Sequence, residues 1–294
     1  TKGEEEWSYK ASCFEPAQSS RRRLNSCYDI QRDIKKYHPF ITDMKRIVIG
    51  YSNKAPANSI CTAIEKENVL DNIKKAITRH TEVEVVKLNG TDEVLWVRDL
   101  FFKLEDKFII CNCTKSDSIM KDRSRETQSI IPLIKSEGSL ILEPPESVRL
   151  EGGDVIQNGN NLFVGVNQRT NYEAVQFLSE SFKQVNVIAV RHNDMHLDCV
   201  MTVVNNTIFY SRKRVKESDL RAIIGYDLID IDDETDGILS TNILIIGDHI
   251  FHSDRIQNTT IIHRLSSMGF NIHTIPYGRL WEEGGGIRCL TQEL

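Results

Sequence analysis

The sequence predicts an α/β fold: one radially closed, propeller-like domain of five ββαβ-like units over residues 45–294, preceded by an N-terminal extension over residues 1–44. Three observations predict it. Four times, two short apolar runs face each other across a short polar turn, the pattern of a hairpin. Three of these hairpins are clearly followed by a helix-period stretch and a further apolar run. A polar residue stands at the mouth of each, at Asp99, Asp154, Asp198 and Asn242, spaced by 55, 44 and 44 residues. A repeat of that size marks a recurring supersecondary unit, and such units normally close radially because closure leaves only short, protected edges.

The elements follow in order. Residues 1–44 carry Glu4-Glu5-Glu6, a basic run Arg21-Arg22-Arg23 and little periodic hydrophobicity, so they read as an extension. Arg46–Tyr51 is a strand. Ser59–His80 has helical spacing, with Ile60, Ile64, Val69, Ile73 and Ile77 apolar, and Glu82–Leu88 is the next strand. The first hairpin joins Leu100–Leu104 to Phe108–Cys111, followed by a helix over Thr127–Lys135 and a strand over Ser139–Leu142. The second joins Val155–Ile156 to Leu162–Val166, then a helix over Asn171–Lys183 and a strand over Val185–Val190. Thr170 reads as that helix's N-cap. The third joins Cys199–Val204 to Thr207–Tyr210, with a less regular continuation. The fourth joins Ile243–Ile246 to His249–His252, then a helix over Gln257–Met268 and a strand over Asn271–Ile275.

Composition narrows the function. The chain has 294 residues, 40% apolar and 27% charged, an ordinary balance for a soluble protein. A net charge of −5 argues against a nucleic-acid partner. No apolar run approaches the roughly 20 residues of a membrane span, and the polar, acidic Thr1–Lys10 is not a signal peptide. Seven scattered cysteines without a Cys-x-x-Cys suit a reduced, cytoplasmic protein. Cys111-Asn-Cys113 lacks a nearby His or Cys pair, so no zinc site is expected there.

Radial closure would bring the strand mouths together. The expected axial pocket is lined by Asp99, Glu151, Asp154, His196, Asp198 and residues near Cys289. Several carboxylates in one pocket repel each other unless a cation joins them. They come from separate units with no metal-like spacing, so an organic cation is the expected guest, with neither metal nor cofactor. Strand alternation would turn His196 and Asp198 to one face, an imidazole beside a carboxylate suited to acid–base work. Gly284-Gly285-Gly286 is followed by no Gly-Lys-Ser/Thr, so it reads as an approach to a final strand that presents Cys289.

Arg98-Asp99, Glu151-Gly-Gly-Asp154, Arg169-Thr170, His196-Leu-Asp198 and Gly284-Gly-Gly-Ile-Arg-Cys289 together resemble the arginine deiminases and their relatives. These are the guanidino-group-modifying enzymes of the pentein fold, including dimethylarginine dimethylaminohydrolases, agmatine deiminases and amidinotransferases. The resemblance covers residues 45–294. It implies Cys289 as nucleophile, His196 as general acid/base and Glu151 as the acid that orients it. It implies Asp99 and Asp198 as carboxylates holding the guanidinium, with Asp154 beside them. Arg169 matches a residue that grips the substrate carboxylate, and Arg123 or Arg125, the latter taken here, would be a second. The extra helical insertion of the larger arginine deiminases is missing, and Arg288 before the cysteine differs from many members. The implied reaction is hydrolysis of arginine or methylated arginine through a covalent amidino-thioether, giving a ureido product such as citrulline. Amidino transfer to an amine, a protein arginine as substrate, and a non-catalytic binding protein of the same fold are the alternatives. A homo-oligomer is left open.

Overall fold

The computed structural model describes residues 46–51, 59–88, 94–112, 123–231, 239–256 and 259–294. The extension over 1–44, with its Arg21–Arg23 run, lies outside the described residues. Among the described residues the strands form five three-stranded sheets, and the fold is the five-bladed pentein propeller.

Each blade follows one rule: the first two strands are antiparallel, and the third returns parallel to the second through a helix. The blade of β3 (Phe101–Leu104), β4 (Lys107–Ile110) and β5 (Leu140–Leu142) carries α2 (Ser124–Ser136) between its last two strands. The next blade has β6 (Val155–Asn158), β7 (Asn161–Val166), α3 (Tyr172–Ser181) and β8 (Asn186–Arg191). The third has β9 (Met201–Val204), β10 (Thr207–Tyr210), α4 (Glu217–Arg221) and β11 (Asp227–Asp230). Its helix is only five residues long, which is why this stretch showed little periodicity. The fourth has β12 (Leu244–Ile246), β13 (His249–Ser253), α5 (Thr259–Ser267) and β14 (Asn271–Ile275).

The remaining blade is assembled from both ends of the domain. β1 (Arg46–Ile49) pairs in parallel with β2 (Glu84–Lys87) across α1 (Ala63–His80), and antiparallel with β15 (Thr291–Glu293). The last strand therefore closes the ring, and Cys289 lies two residues before it. α1 begins later than its apolar spacing suggested, because Thr62 and Glu65 form a reciprocal capping box. Its Val69, Leu70, Ile73 and Ile77 are buried against the sheet, whereas Ile64 is exposed.

The strand mouths are not plain strand. Val97–Asp99, Gly152–Asp154 and Leu197–Cys199 are single 3₁₀ turns that precede the first strand of their blades. These turns gather at the axis and aim the polar side chains. No helix among the described residues is long and apolar enough to cross a membrane.

Candidate active site

A cavity of about 350 Å³ opens at the strand mouths, bordered by Asp99, Arg123, Arg169, His196, Glu283 and Cys289. That is the size of a small-ligand pocket. The segments leading into β3 and β9, the loop at Arg169, the glycine run before β15 and the first turns of α1 and α2 line it.

The glycine loop delivers the thiol. Gly284 has φ +92°, a left-handed conformation that ends the turn Leu280–Glu283. The buried Tyr277 hydroxyl donates to the Gly285 carbonyl at 3.0 Å and pins the loop. A Cβ on Gly286 would fall 2.5 Å from Asn242 Oδ1, so only glycine leaves room for the Asn242 side chain against this loop. That room lets Asn242 Nδ2 donate to Cys289 Sγ at 3.1 Å and the Cys289 amide donate to Asn242 Oδ1 at 3.3 Å. Cys289 is buried.

The imidazole is held between two carboxylates. His196 Nε2 meets Glu151 Oε2 at 2.5 Å, and Nδ1 lies 3.5 Å from Asp99 Oδ1. All three residues are buried. A Cβ on Gly153 would sit 2.7 Å from the His196 ring and 2.9 Å from Asp99 Oδ1, so the second glycine of Glu151-Gly-Gly-Asp154 makes the room. Burial alone would lower the imidazole's pKa, but Asp99, Glu151 and Asp154 raise it well above 6.5. Burial pushes Glu151 upward, yet the bond and charge of His196, with Arg169 and Arg123, bring it down to about 2. The pair is thus an imidazolium beside a carboxylate at neutral pH.

Cations complete the wall. Arg169 Nη1 donates to Glu151 Oε2 at 3.0 Å. Arg123 Nη1 donates to Asp99 Oδ2 at 2.6 Å, and its Nε and Nη2 to Glu126 Oε2 at 3.1 and 2.8 Å. Lys66, almost fully buried, has Nζ 3.3 Å from Glu283 Oε2. The cavity is therefore not the purely acidic pocket expected from the sequence. Its carboxylates are paired with basic side chains: Asp99 with Arg123, Glu151 with Arg169 and Glu283 with Lys66 within their own blades, and Glu151 with His196 across two.

Asp99, His196, Arg169 and Cys289 line this cavity, and Glu151 stands behind them, bonded to His196 and Arg169. Three expected residues stand differently. Asp154 is fully buried behind it, accepting from Thr170 Oγ1 at 2.7 Å and the Leu197 amide at 2.8 Å, with His192 Nε2 at 3.0 Å. It has no face to offer a ligand. Asp198 lies beneath the cavity without lining it, because the Leu197–Cys199 turn breaks the strand alternation. Its Oδ2 is buried without a hydrogen-bond partner, and burial raises its pKa to about 6. Arg125 is exposed on the first turn of α2, while Arg123, two residues earlier, faces the cavity. Thr170 is not the cap of α3 either. Asn171 is, and Thr170 bonds to Asp154 and accepts from the Glu151 amide at 3.2 Å.

Lys66 escaped the sequence reading, and Asn242, named at a strand mouth, was given no role in the site. Asn242 stands 44 residues after Asp198, at the same point of the repeat, and that register was its only signal. Lys66 is one of many lysines in an amphipathic helix and carried none. For metal chemistry, Asp99, Glu151 and His196 bring donor atoms within 4.8 Å of one another, as do His196, Asp198 and Cys199. In the first group the carboxylates already answer Arg123, Arg169 and the ring N–H groups.

The model of the arginine deiminase family matches residues 53–235, more than half of the chain.

The chain belongs to the arginine deiminase family.

Among curated relatives of this family member, an uncharacterized Bacillus subtilis protein, YkgA, is 28% identical over 223 residues, covering 74% of this chain and 76% of YkgA. Among solved structures, DDAH from Pseudomonas aeruginosa in complex with citrulline superposes with a TM-score of 0.70 at 14% identity, covering 85% of this chain and 99% of that one. The product-bound N-terminal domain of ArgZ, an arginine dihydrolase of cyanobacteria, gives 0.71 at 16% identity, covering 85% and 97%. At these identities the likeness establishes the shared fold.

Proposed function

We propose that this arginine deiminase family protein hydrolyses the guanidino group of arginine or a methylated arginine, with Cys289 as nucleophile. The observation that carries the reading is the His196 imidazole, clamped by Glu151 at 2.5 Å and facing the same cavity as a buried thiol that Asn242 holds. A guanidinium carbon is a poor electrophile because its charge is delocalised, so the site must orient it. Asp99 would accept N–H donors from the substrate in exchange for Arg123.

Cys289 then attacks as thiolate and forms a C–S bond. His196 gives its proton to the departing amine through Nδ1, since Nε2 is committed to Glu151. An amidino-thioether remains. His196, now neutral, takes a proton from water, which attacks the same carbon. The C–S bond breaks, the thiolate returns, and a ureido product leaves. The paired acids and bases suit a zwitterionic amino acid better than a simple cation such as agmatine. Arg169 and Lys66 are the groups available to a substrate carboxylate. The cytoplasm, which keeps such a thiol reduced, is the compartment we assign.

The test is a citrulline assay on the full chain with arginine, monomethylarginine, dimethylarginine and agmatine, with ammonia and ornithine measured alongside. Citrulline from one of the first three is the expected result. Ornithine together with ammonia from arginine would point to dihydrolase chemistry. Silence with all four would overturn the proposal in favour of amidino transfer, a protein substrate or a binding role.

A further inference from the structure

The axis carries a second cavity, on the far side of the partition from Cys289. It encloses about 130 Å³ and lies among the first strands of the blades. Arg98, Arg288 and Lys103 border it, with Glu293 as its one bordering carboxylate. Arg98 immediately precedes Asp99, and Arg288 immediately precedes Cys289. Each of these two turns thus presents its acid or thiol to the front cavity and its guanidinium to the rear one.

Three basic side chains border the rear cavity against one carboxylate, and a single further acid, Asp198, reaches Arg288 from within the partition. Arg98 is buried, and its hydrogen bonds run to neutral acceptors: Nη1 to Gln292 Oε1 and Nε to the Arg288 carbonyl. Arg288 Nη2 reaches the Val155 carbonyl at 3.4 Å. Its Nε lies 3.3 Å from Asp198 Oδ2, yet both buried atoms lack a hydrogen-bond partner. Burial and the neighbouring Arg288 push the Arg98 guanidinium down to about 9. Burial pushes Glu293 upward, which weakens it as the counter-charge. Two guanidinium groups and a lysine set against Glu293 and Asp198 leave the lining one positive charge in excess, in a confined space where that charge is weakly screened. The forked N–H geometry of arginine matches an oxyanion.

We propose that this rear axial cavity binds a small oxyanion, held by Arg98 and Arg288 and admitted past Lys103. The site is separate from the guanidino chemistry and stands or falls independently of it.

Calorimetric titration of the full chain with inorganic phosphate tests this, with thermal unfolding in parallel. Acetate at the same ionic strength tests a carboxylate source, and chloride tests a general salt effect. Saturable one-site binding of phosphate or acetate is expected, with chloride ineffective. Arg288→Gln should weaken it at least tenfold, and Lys103→Gln by a smaller factor. Arg169→Gln, in the front cavity, should leave the affinity unchanged. Should Arg288→Gln fail to fold, Lys103→Glu at the rim decides, and an unchanged affinity there would overturn the proposal. So would binding that survives Arg288→Gln, that disappears with Arg169→Gln, or that chloride reproduces. Absence of saturable binding by either oxyanion would also overturn it.

Discussion

At the residue scale the site turns on how three side chains share protons and hydrogen bonds. Cys289→Ser should abolish turnover while leaving thermal unfolding unchanged, since the oxygen fits the same pocket but is a far weaker nucleophile. Wild-type-like rates would remove Cys289 from the mechanism. His196→Gln should lower kcat by about 10²–10⁴-fold, the usual range for a lost general acid. The sign of the pH dependence follows from the clamp. The His196 pKa is raised, so its stabilising pairing is fully present below about 6.5 and is lost as pH rises through the raised value. The Glu151 pKa is depressed to about 2, so its contribution is present above 4.5 and fades as pH falls toward 2. Activity that needs imidazolium should fall on an alkaline limb, and Glu151→Gln should move that limb to lower pH. A pH–rate profile of both proteins checks this. Asn242→Ala removes the donor to the Cys289 sulfur. Alkylation of Cys289 by iodoacetamide at a fixed pH should then slow, whereas mere loosening of the fold would speed it.

At the element scale, short turns and caps fix what the strands only approximate. The 3₁₀ turns that precede β3, β6 and β9 replace strand alternation at the points where polar side chains must be aimed. The loop from Arg169 into α3 is anchored by Asn171, whose side chain accepts from the Ala174 and Arg149 amides and donates to the Ser147 carbonyl. Asn171→Ala should cost about 1–2 kcal/mol, the range for a lost N-cap, and lower the unfolding midpoint by a few degrees. It should raise KM more than it lowers kcat, because Arg169 next door borders the cavity while the thiol and imidazole stand on other turns. Thr170 could be taken for the cap from sequence because both residues are good caps. Only the observed bond from its hydroxyl to Asp154 shows that it is committed elsewhere.

At the scale of the whole molecule, closure of the ring and assembly of the site are one event. β15 pairs with β1 from the opposite end of the domain, and the turn that leads into β15 holds Cys289. A proline at Gln292 cannot donate to that ladder, and it would also remove the amide side chain that bonds Arg98 and the Phe101 carbonyl. Gln292→Pro should therefore lower the unfolding midpoint and activity together. A variant with full activity and a lowered midpoint would show that closure and catalysis are separable. Contacts between α1 and the loop before β15 act in the same direction: Glu283 accepts from the Cys61 amide at 2.9 Å and faces Lys66.

The sequence by itself determined the repeat, and through it the fold. Turn residues and apolar runs act locally, so Asn205-Asn206 or Gly247-Asp248 declare a hairpin without help from distant parts of the chain. Register along the repeat also pointed to Asp99, because equivalent positions in a closed ring must converge, and the glycine run before the last strand pointed to Cys289. What only the tertiary structure decided is which carboxylate faces which side of the axis. Asp154 and Asp198 looked equivalent to Asp99, but a hydroxyl, an imidazole and a backbone amide claim the first, and a turn tilts the second beneath the floor. Arg123 and Arg125 are two residues apart on the approach to a helix, and only packing against Asp99 selects one. The pairing of each acid with its base is likewise invisible in composition, since Asp99 and Arg123, or Glu151 and Arg169, lie well apart along the chain. Partners such as Lys66 and Glu283, or Arg98 and Gln292, are about two hundred residues apart, and only ring closure makes them neighbours.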